Sequence, residues 1–452
     1  MNKVKIGEKY EVDITSMGHE GEGVGRIDGI AVFVKGALKG ERVIIEIEEV
    51  HKNYLRGRTV RILKESQHRV NPLCHYADRC GGCSLQHLSY KGQLEYKTQK
   101  VKDNLERIGK IYTKVHYAIG MENPLNYRNK GQFVVGEIGR EKITGFYSFH
   151  SHEIVPVDNC LIQHPLSNKV VSVVKEWLNE CDISVYDRKK GKGLIRHVVA
   201  KVAFKTGEVM AIIVINGEDI PCKEELIEAL KEKVPGLKSV ILNINTRRTK
   251  MILGNKNIVI YGKNTIEDFI KDLRFEISPL SFFQVNPIQT EILYDKAIEY
   301  AGLTGKEVVI DVYSGIGTIS LFAAKKASFV YGIESVKEAV EDAEKNAQVN
   351  GVKNVKFIWG KAEREIAKLY KEGVKAEVVI VDPPRDGCDK EVIRAIVGIN
   401  PKRIVYVSCN PSTLARDLRY LEDAGYRTVE VQPVDMFPYT YHVESVALVE
   451  RM

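Results

Sequence analysis

The rhythm of apolar and polar positions changes about two-thirds of the way along the chain. From about residue 290, apolar runs at 308–313, 329–334, 355–358, 376–382 and 403–408 alternate with helical stretches, clearest over 337–350 and 361–371. Solid apolar runs separated by helices predict a parallel sheet with helices on both faces. Two last strand-like runs, 427–433 and 445–450, lie close together and predict an antiparallel pair.

The first stretch has a different texture. Short strands are predicted at 10–14, 30–34, 41–47 and 55–62, with the glycine-rich run 18–26 between the first two. Short, evenly spaced strands with glycine turns predict a small OB-like β-barrel. Its later part carries Lys35, Lys39, Arg42, Lys52, Arg56, Arg58, Arg61 and Lys64, interleaved with Glu41, Glu46, Glu48 and Glu49. That pattern suits an oligonucleotide-binding face and an ordinary solvated surface alike. The middle mixes strands such as 209–215 with helices such as 223–233, after a polar helical stretch over 90–108. The expected domains are a barrel at 1–63, an α+β central domain at 64–280 and a Rossmann-like α/β domain at 281–452.

With 452 residues, 44% of them hydrophobic, the chain is long enough for two to four cores and is not a disordered polymer. A net charge of +7, from 67 basic and 60 acidic residues, permits a nucleic-acid partner without demanding one. The first nine residues contain no apolar leader, and no run approaches the roughly 18 apolar residues of a membrane span. A cytoplasmic protein is expected, with no membrane partner. Eight cysteines in such a chain are expected to be free thiols or metal ligands rather than disulfides.

Chemistry concentrates at the predicted strand ends. The run Asp311-Val312-Tyr313-Ser314-Gly315-Ile316-Gly317 closes the first strand, and Glu334 closes the next. Glycine lets the backbone approach a ligand, and a carboxylate at the second strand end accepts ribose hydroxyls. Ser320 stands where a dinucleotide fingerprint has its third glycine, so S-adenosylmethionine, with a ribose but no pyrophosphate, suits the loop better than NAD. Asp382-Pro383-Pro384-Arg385 holds a carboxylate rigidly at the fourth strand end, and Cys409-Asn410-Pro411 follows the fifth. Alone, Cys409 reads as a packed thiol; beside the other two motifs it reads as a nucleophile. His442 and Glu444, just before the last strand, are both candidate bases. Cys74, Cys80, Cys83 and Cys160 offer four thiolates for zinc or an iron–sulfur cluster, and the spacing leaves that choice open.

At these residues, together with Phe283-Gln284-Val285-Asn286, the sequence resembles the RNA uracil-5-methyltransferases. More narrowly, it resembles the bacterial 23S ribosomal RNA branch with an N-terminal TRAM barrel and a cluster. The resemblance implies a [4Fe-4S] cluster on Cys74, Cys80, Cys83 and Cys160, Cys409 as nucleophile and Glu444 as base. It implies S-adenosylmethionine contacts from Gln284, Tyr313, Glu334 and Asp382. It also implies that a segment near 90–118 packs with the catalytic domain, and that the partner is 23S ribosomal RNA with its target uridine flipped out. The transfer RNA T-loop enzymes are the nearest alternative, and a non-enzymatic, redox-sensing RNA-binding protein is the alternative of another class.

Overall fold

In the computed structural model, which describes residues 4–149 and 151–452, part of the N-terminal glycine-rich run is itself a strand. Gly23–Ile27 pairs with Ser16–Met17 on one side and Ile30–Lys35 on the other, inside a six-stranded sheet with Lys9–Asp13, Arg42–Val50 and Tyr54–Lys64. A Cβ on Gly25 would stand 2.3 Å from Val12 Cγ1, so glycine is what lets this strand cross the first one and curl the sheet. Val12, Val32, Val34, Val43, Ile45 and Leu55 fill the interior.

The central seven-stranded sheet runs in the order Ile154–Pro156, Glu141–Tyr147, Lys130–Ile138, Ile195–Val202, Val209–Ile215, Leu237–Ile244, Lys256–Gly262. Helices Pro165–Glu180 and Lys223–Lys233 cover one face. The other face sends Met210, Ile212 and Val214 into a core shared with the C-terminal domain. Burial on both sides explains why 209–215 is apolar without alternation.

The C-terminal sheet has eight strands: Val355–Trp359, Phe329–Glu334, Val308–Val312, Val378–Val381, Arg403–Ser408, Glu444–Arg451, Tyr426–Val434, Lys114–Val115. The first five are parallel, and Glu444–Arg451 runs antiparallel to both of its neighbours. The outermost strand comes from far earlier in the chain. It follows helix Tyr90–Asn104 and a π-helical turn at Leu105–Gly109, and it pairs in parallel with Glu430 and Val431. Val101, Leu105 and Ile111 enter the same core as Val431 and Ala447. The hairpin of Ile266–Ile270 and Leu273–Ile277 packs into the core of helix Pro287–Ala301. Among the described residues no helix is long and apolar enough to cross a membrane.

Candidate active site

The first sheet strand ends in a sharp turn. Tyr313 takes φ +67°, and Gly317 takes φ +83° at the start of helix Thr318–Ala324. A Cβ on Gly317 would meet the Phe357 ring at 2.6 Å, so the helix can sit this close to the sheet only on glycine. The Gly315 N–H donates to Glu334 Oε2 (3.1 Å), and the Val336 N–H donates to Glu334 Oε1 (2.8 Å). Ser320 Oγ donates to Asp311 Oδ2 at 2.5 Å. The serine that replaces a third glycine therefore fixes a buried carboxylate.

These groups line a cavity of about 370 Å³ that also brings together Gln284, Tyr313, Glu334 and Asp382, the four residues expected to contact the cofactor. Phe282, Tyr294, Ser335 and Pro384 complete the wall. Burial, with Asp382 nearby, pushes the Asp311 carboxyl up to about 7. Burial pushes Asp382 up to about 6. Carboxyls held back from ionising are relieved by a positive charge among them, so the cavity's chemistry fits a sulfonium.

Cys409 and Glu444 both feel the charge of Asp382 in the cavity wall. In the ladder between Arg403–Ser408 and Glu444–Arg451, Ser408 pairs with Ser445. Extending that register by one residue sets Cys409 opposite Glu444, and residues so opposed have Cβ atoms about 5 Å apart. Burial first, then Glu444 and Asp382, push the Cys409 thiol up to about 12, and Arg385 opposes them. Burial and Asp382 push Glu444 up to about 8, again against Arg385. Arg385 is thus the cation that serves both. Its carbonyl accepts from Asn410 Nδ2 (3.0 Å) and Thr413 Oγ1 (3.2 Å), which ties the Asp-Pro-Pro-Arg loop to the helix after Cys409. His442 takes the opposite direction. Burial, then Arg385, Lys100, Lys97 and Arg128, lower it to about 3. A ring that resists protonation so strongly is a poor base.

The four cysteines come from two segments. Cys83 and Cys160 pack on one apolar cluster of Met121, Tyr127, Ile162 and Tyr439. Burial and Cys160 raise the Cys83 thiol to about 12, with Cys80 and Cys74 adding to the rise; Cys160 rises to about 11, chiefly by burial, and also feels Cys80 and Cys74. All four are free thiols, and among the described residues no three His, Cys, Asp or Glu side chains converge closely enough to hold a metal ion. Four thiols with no carboxylate are the donor set of a sulfur-ligated iron or zinc centre. They have to draw together before they make a shell.

The family described as tRNA (Uracil-5-)-methyltransferase matches residues 90–452, and the TRAM domain matches residues 3–60. The chain belongs to the uracil-5-methyltransferase family. It is 98% identical over its whole length to an "uncharacterized RNA methyltransferase" of Caldanaerobacter subterraneus, covering 100% of each chain. It is 49% identical to another so described from Clostridium acetobutylicum, covering 99% of this chain and 98% of that one. Among solved structures it is similar to the Pyrococcus abyssi tRNA (uracil-54, C5)-methyltransferase in complex with S-adenosyl-L-homocysteine, with TM-score 0.77 and 29% identity over 97% of this chain and 100% of that one. This uracil-5-methyltransferase is an S-adenosylmethionine-dependent RNA-modifying enzyme with a TRAM domain.

Sequence reasoning missed part of the methyltransferase's site. Tyr294 reaches the cavity from a helix with no motif around it, and its hydroxyl meets Thr318 Oγ1 at 3.0 Å. Arg385 was visible as the residue after Asp-Pro-Pro, but its electrostatic role needed the fold. A lone basic residue between Asp382 and Asp386 at a strand end was the available signal.

Proposed function

We propose that this enzyme methylates uridine C5 in 23S ribosomal RNA, in the cytoplasm, with Cys409 as nucleophile and Glu444 as base. The register of the antiparallel joint between Arg403–Ser408 and Glu444–Arg451, which extended by one residue sets Cys409 opposite Glu444, carries the reading. Uracil C5 is a weak nucleophile. Addition of the Cys409 thiolate at C6 moves the ring π electrons onto C5 and O4 as an enolate, and C5 then takes the methyl group from the sulfonium. Glu444 removes the C5 proton, the C5–C6 double bond re-forms, and the C6–S bond breaks to return Cys409. Gln284, Tyr313, Glu334 and Asp382 are the proposed contacts to the methyl donor. Burial first, and the neighbouring acids after it, keep Cys409 and Glu444 protonated; the donor's positive charge beside Asp382 offsets the acidic part, which favours thiolate after the donor binds. The target base has to leave its stack to reach the pair.

Ribosomal RNA is favoured by the four-cysteine set joined to a TRAM barrel. Transfer RNA is the second reading, favoured by the Pyrococcus enzyme, which is matched over 97% of this chain and so shares the domain plan. Cys74, Cys80, Cys83 and Cys160 are proposed to hold a [4Fe-4S] cluster, which would tie the 74–83 loop to the central domain. Iron and sulfide, four of each per anaerobically purified chain, are expected; zinc instead would replace the cluster reading. The deciding experiment offers labelled S-adenosylmethionine with unmodified 23S ribosomal RNA and bulk transfer RNA in parallel. Label is expected as 5-methyluridine in the ribosomal RNA. Label in transfer RNA alone moves the substrate, and label in neither overturns the reading.

A further inference from the structure

One face of a helix lying more than three hundred residues earlier supplies three of the side chains that hold the loop before Glu444. Gln93, Lys97 and Lys100 share that face at helical spacing. Gln93 Oε1 accepts from the Tyr439 N–H (2.7 Å). Lys97 Nζ pairs with Asp435 and donates to the Phe437 carbonyl (3.0 Å). Lys100 Nζ donates to the Tyr441 carbonyl (2.9 Å), three residues before Glu444. The same ammonium donates to the His19 carbonyl of the barrel (2.7 Å).

The barrel loop meets this helix at a second point. Tyr96 Oη donates to the Gly18 and His19 carbonyls (2.9 and 3.1 Å). Gly21 packs so closely that a Cβ would stand 2.7 Å from Leu85 Cδ2. Leu85 and Ser84 in turn donate their N–H groups to the Tyr439 carbonyl. Lys100 also lies 4.8 Å from the centre of the Tyr441 ring. Lys100 is buried, and the two close acceptors of its Nζ are carbonyls of two different domains. A buried cation needs its acceptors, so losing the barrel's carbonyl disturbs the contact to Tyr441 as well.

We propose that Lys100 is a positioning residue for Glu444, and that docking of the barrel loop 18–22 completes the active site through it. This rests on the assignment of Glu444 as base. The barrel then does more than hold RNA: its loop forms part of the support of the proton-abstracting carboxylate.

The test separates positioning from tethering. If Glu444 is displaced while Cys409 is not, C6–S and C5–methyl bonds form but the C5 proton stays. A methylated covalent protein–RNA adduct then accumulates on ordinary uridine. Lys100→Met and Tyr96→Phe are compared with wild type on the 23S transcript, or the transfer RNA transcript if wild type prefers it, by kcat, KM for RNA and adduct on denaturing gels. Lys100→Met is expected to lower kcat about tenfold with adduct present, because small misplacements of a catalytic group cost rate steeply. Tyr96→Phe is expected to show the same signature more weakly. A raised KM for RNA with no adduct in either variant overturns the proposal and makes the clamp a tether. If Lys100→Met does not fold, wild-type kinetics in Tyr96→Phe overturn it. Failure of the base assignment looks different: Glu444→Gln then turns over without adduct while wild type methylates normally.

Discussion

The donor cavity and the loop before Glu444 are built in opposite ways. The cavity is made at the ends of sequential parallel strands, and its groups are held by near neighbours: Glu334 by Gly315 and Val336, Asp311 by Ser320. The loop at 435–441 is held by Asn286 and Gln289 and, beyond them, by Gln93, Lys97, Lys100, Ser84 and Tyr127, five residues from the first third of the chain. Local support makes a rigid subsite that survives change elsewhere. Remote support makes the position of one carboxylate answer to three domains at once.

Substitutions sharpen the contrast. The largest effect is expected for Cys409→Ala, which removes turnover by about 10⁴-fold or more and forms no adduct with 5-fluorouridine RNA. Measurable adduct in that variant would mean that another nucleophile acts. Glu444→Gln is expected to lower kcat by about 10²- to 10³-fold while adduct still forms, read on the same gels. Lys97→Met strands the buried Asp435 carboxylate and is expected to cost about 3–5 kcal/mol in denaturant unfolding. A cost below 1 kcal/mol would show that the loop does not depend on its remote support. Glu334→Gln is confined to the cavity and is expected to raise KM for S-adenosylmethionine about tenfold, with kcat and stability nearly unchanged.

The smallest effect is one of pH. Glu444 is raised to about 8 in the fold from an ordinary value of 4.5, so the folded state keeps a proton that the unfolded chain has released. Stability from this group therefore falls as pH rises through that window. Glu444→Gln is expected to melt a few degrees above wild type at pH 8, with the gap closing towards pH 5. No gap at pH 8 would mean that the carboxylate ionises freely.

The cavity was legible because parallel strands are solid apolar runs and their ends carry the chemistry: Asp311, Glu334, Asp382 and Cys409 could be placed by counting. The remote clamp was not. Lys97 and Lys100 sit in a polar helix whose sequence looks solvated, yet both are buried. A lysine that caps a carbonyl from a distant domain leaves no periodic signature. The strand Gly23–Ile27 was hidden for a related reason, since glycines needed for close approach to Val12 and Ile14 look like breaks. From the residues alone His442 and Glu444 were equal candidates, and their opposite electrostatics, His442 lowered and Glu444 raised chiefly by burial, needed the fold.

The edge strand Lys114–Val115 and its helix have a consequence for synthesis. They leave the ribosome early but can pair only with Tyr426–Val434, near the end of translation. Until then Val101, Leu105 and Lys97 lack their partners in the C-terminal domain, while the barrel already has the residues of its own core. The catalytic sheet is therefore the last unit to close, and long-range closure of this kind is slow.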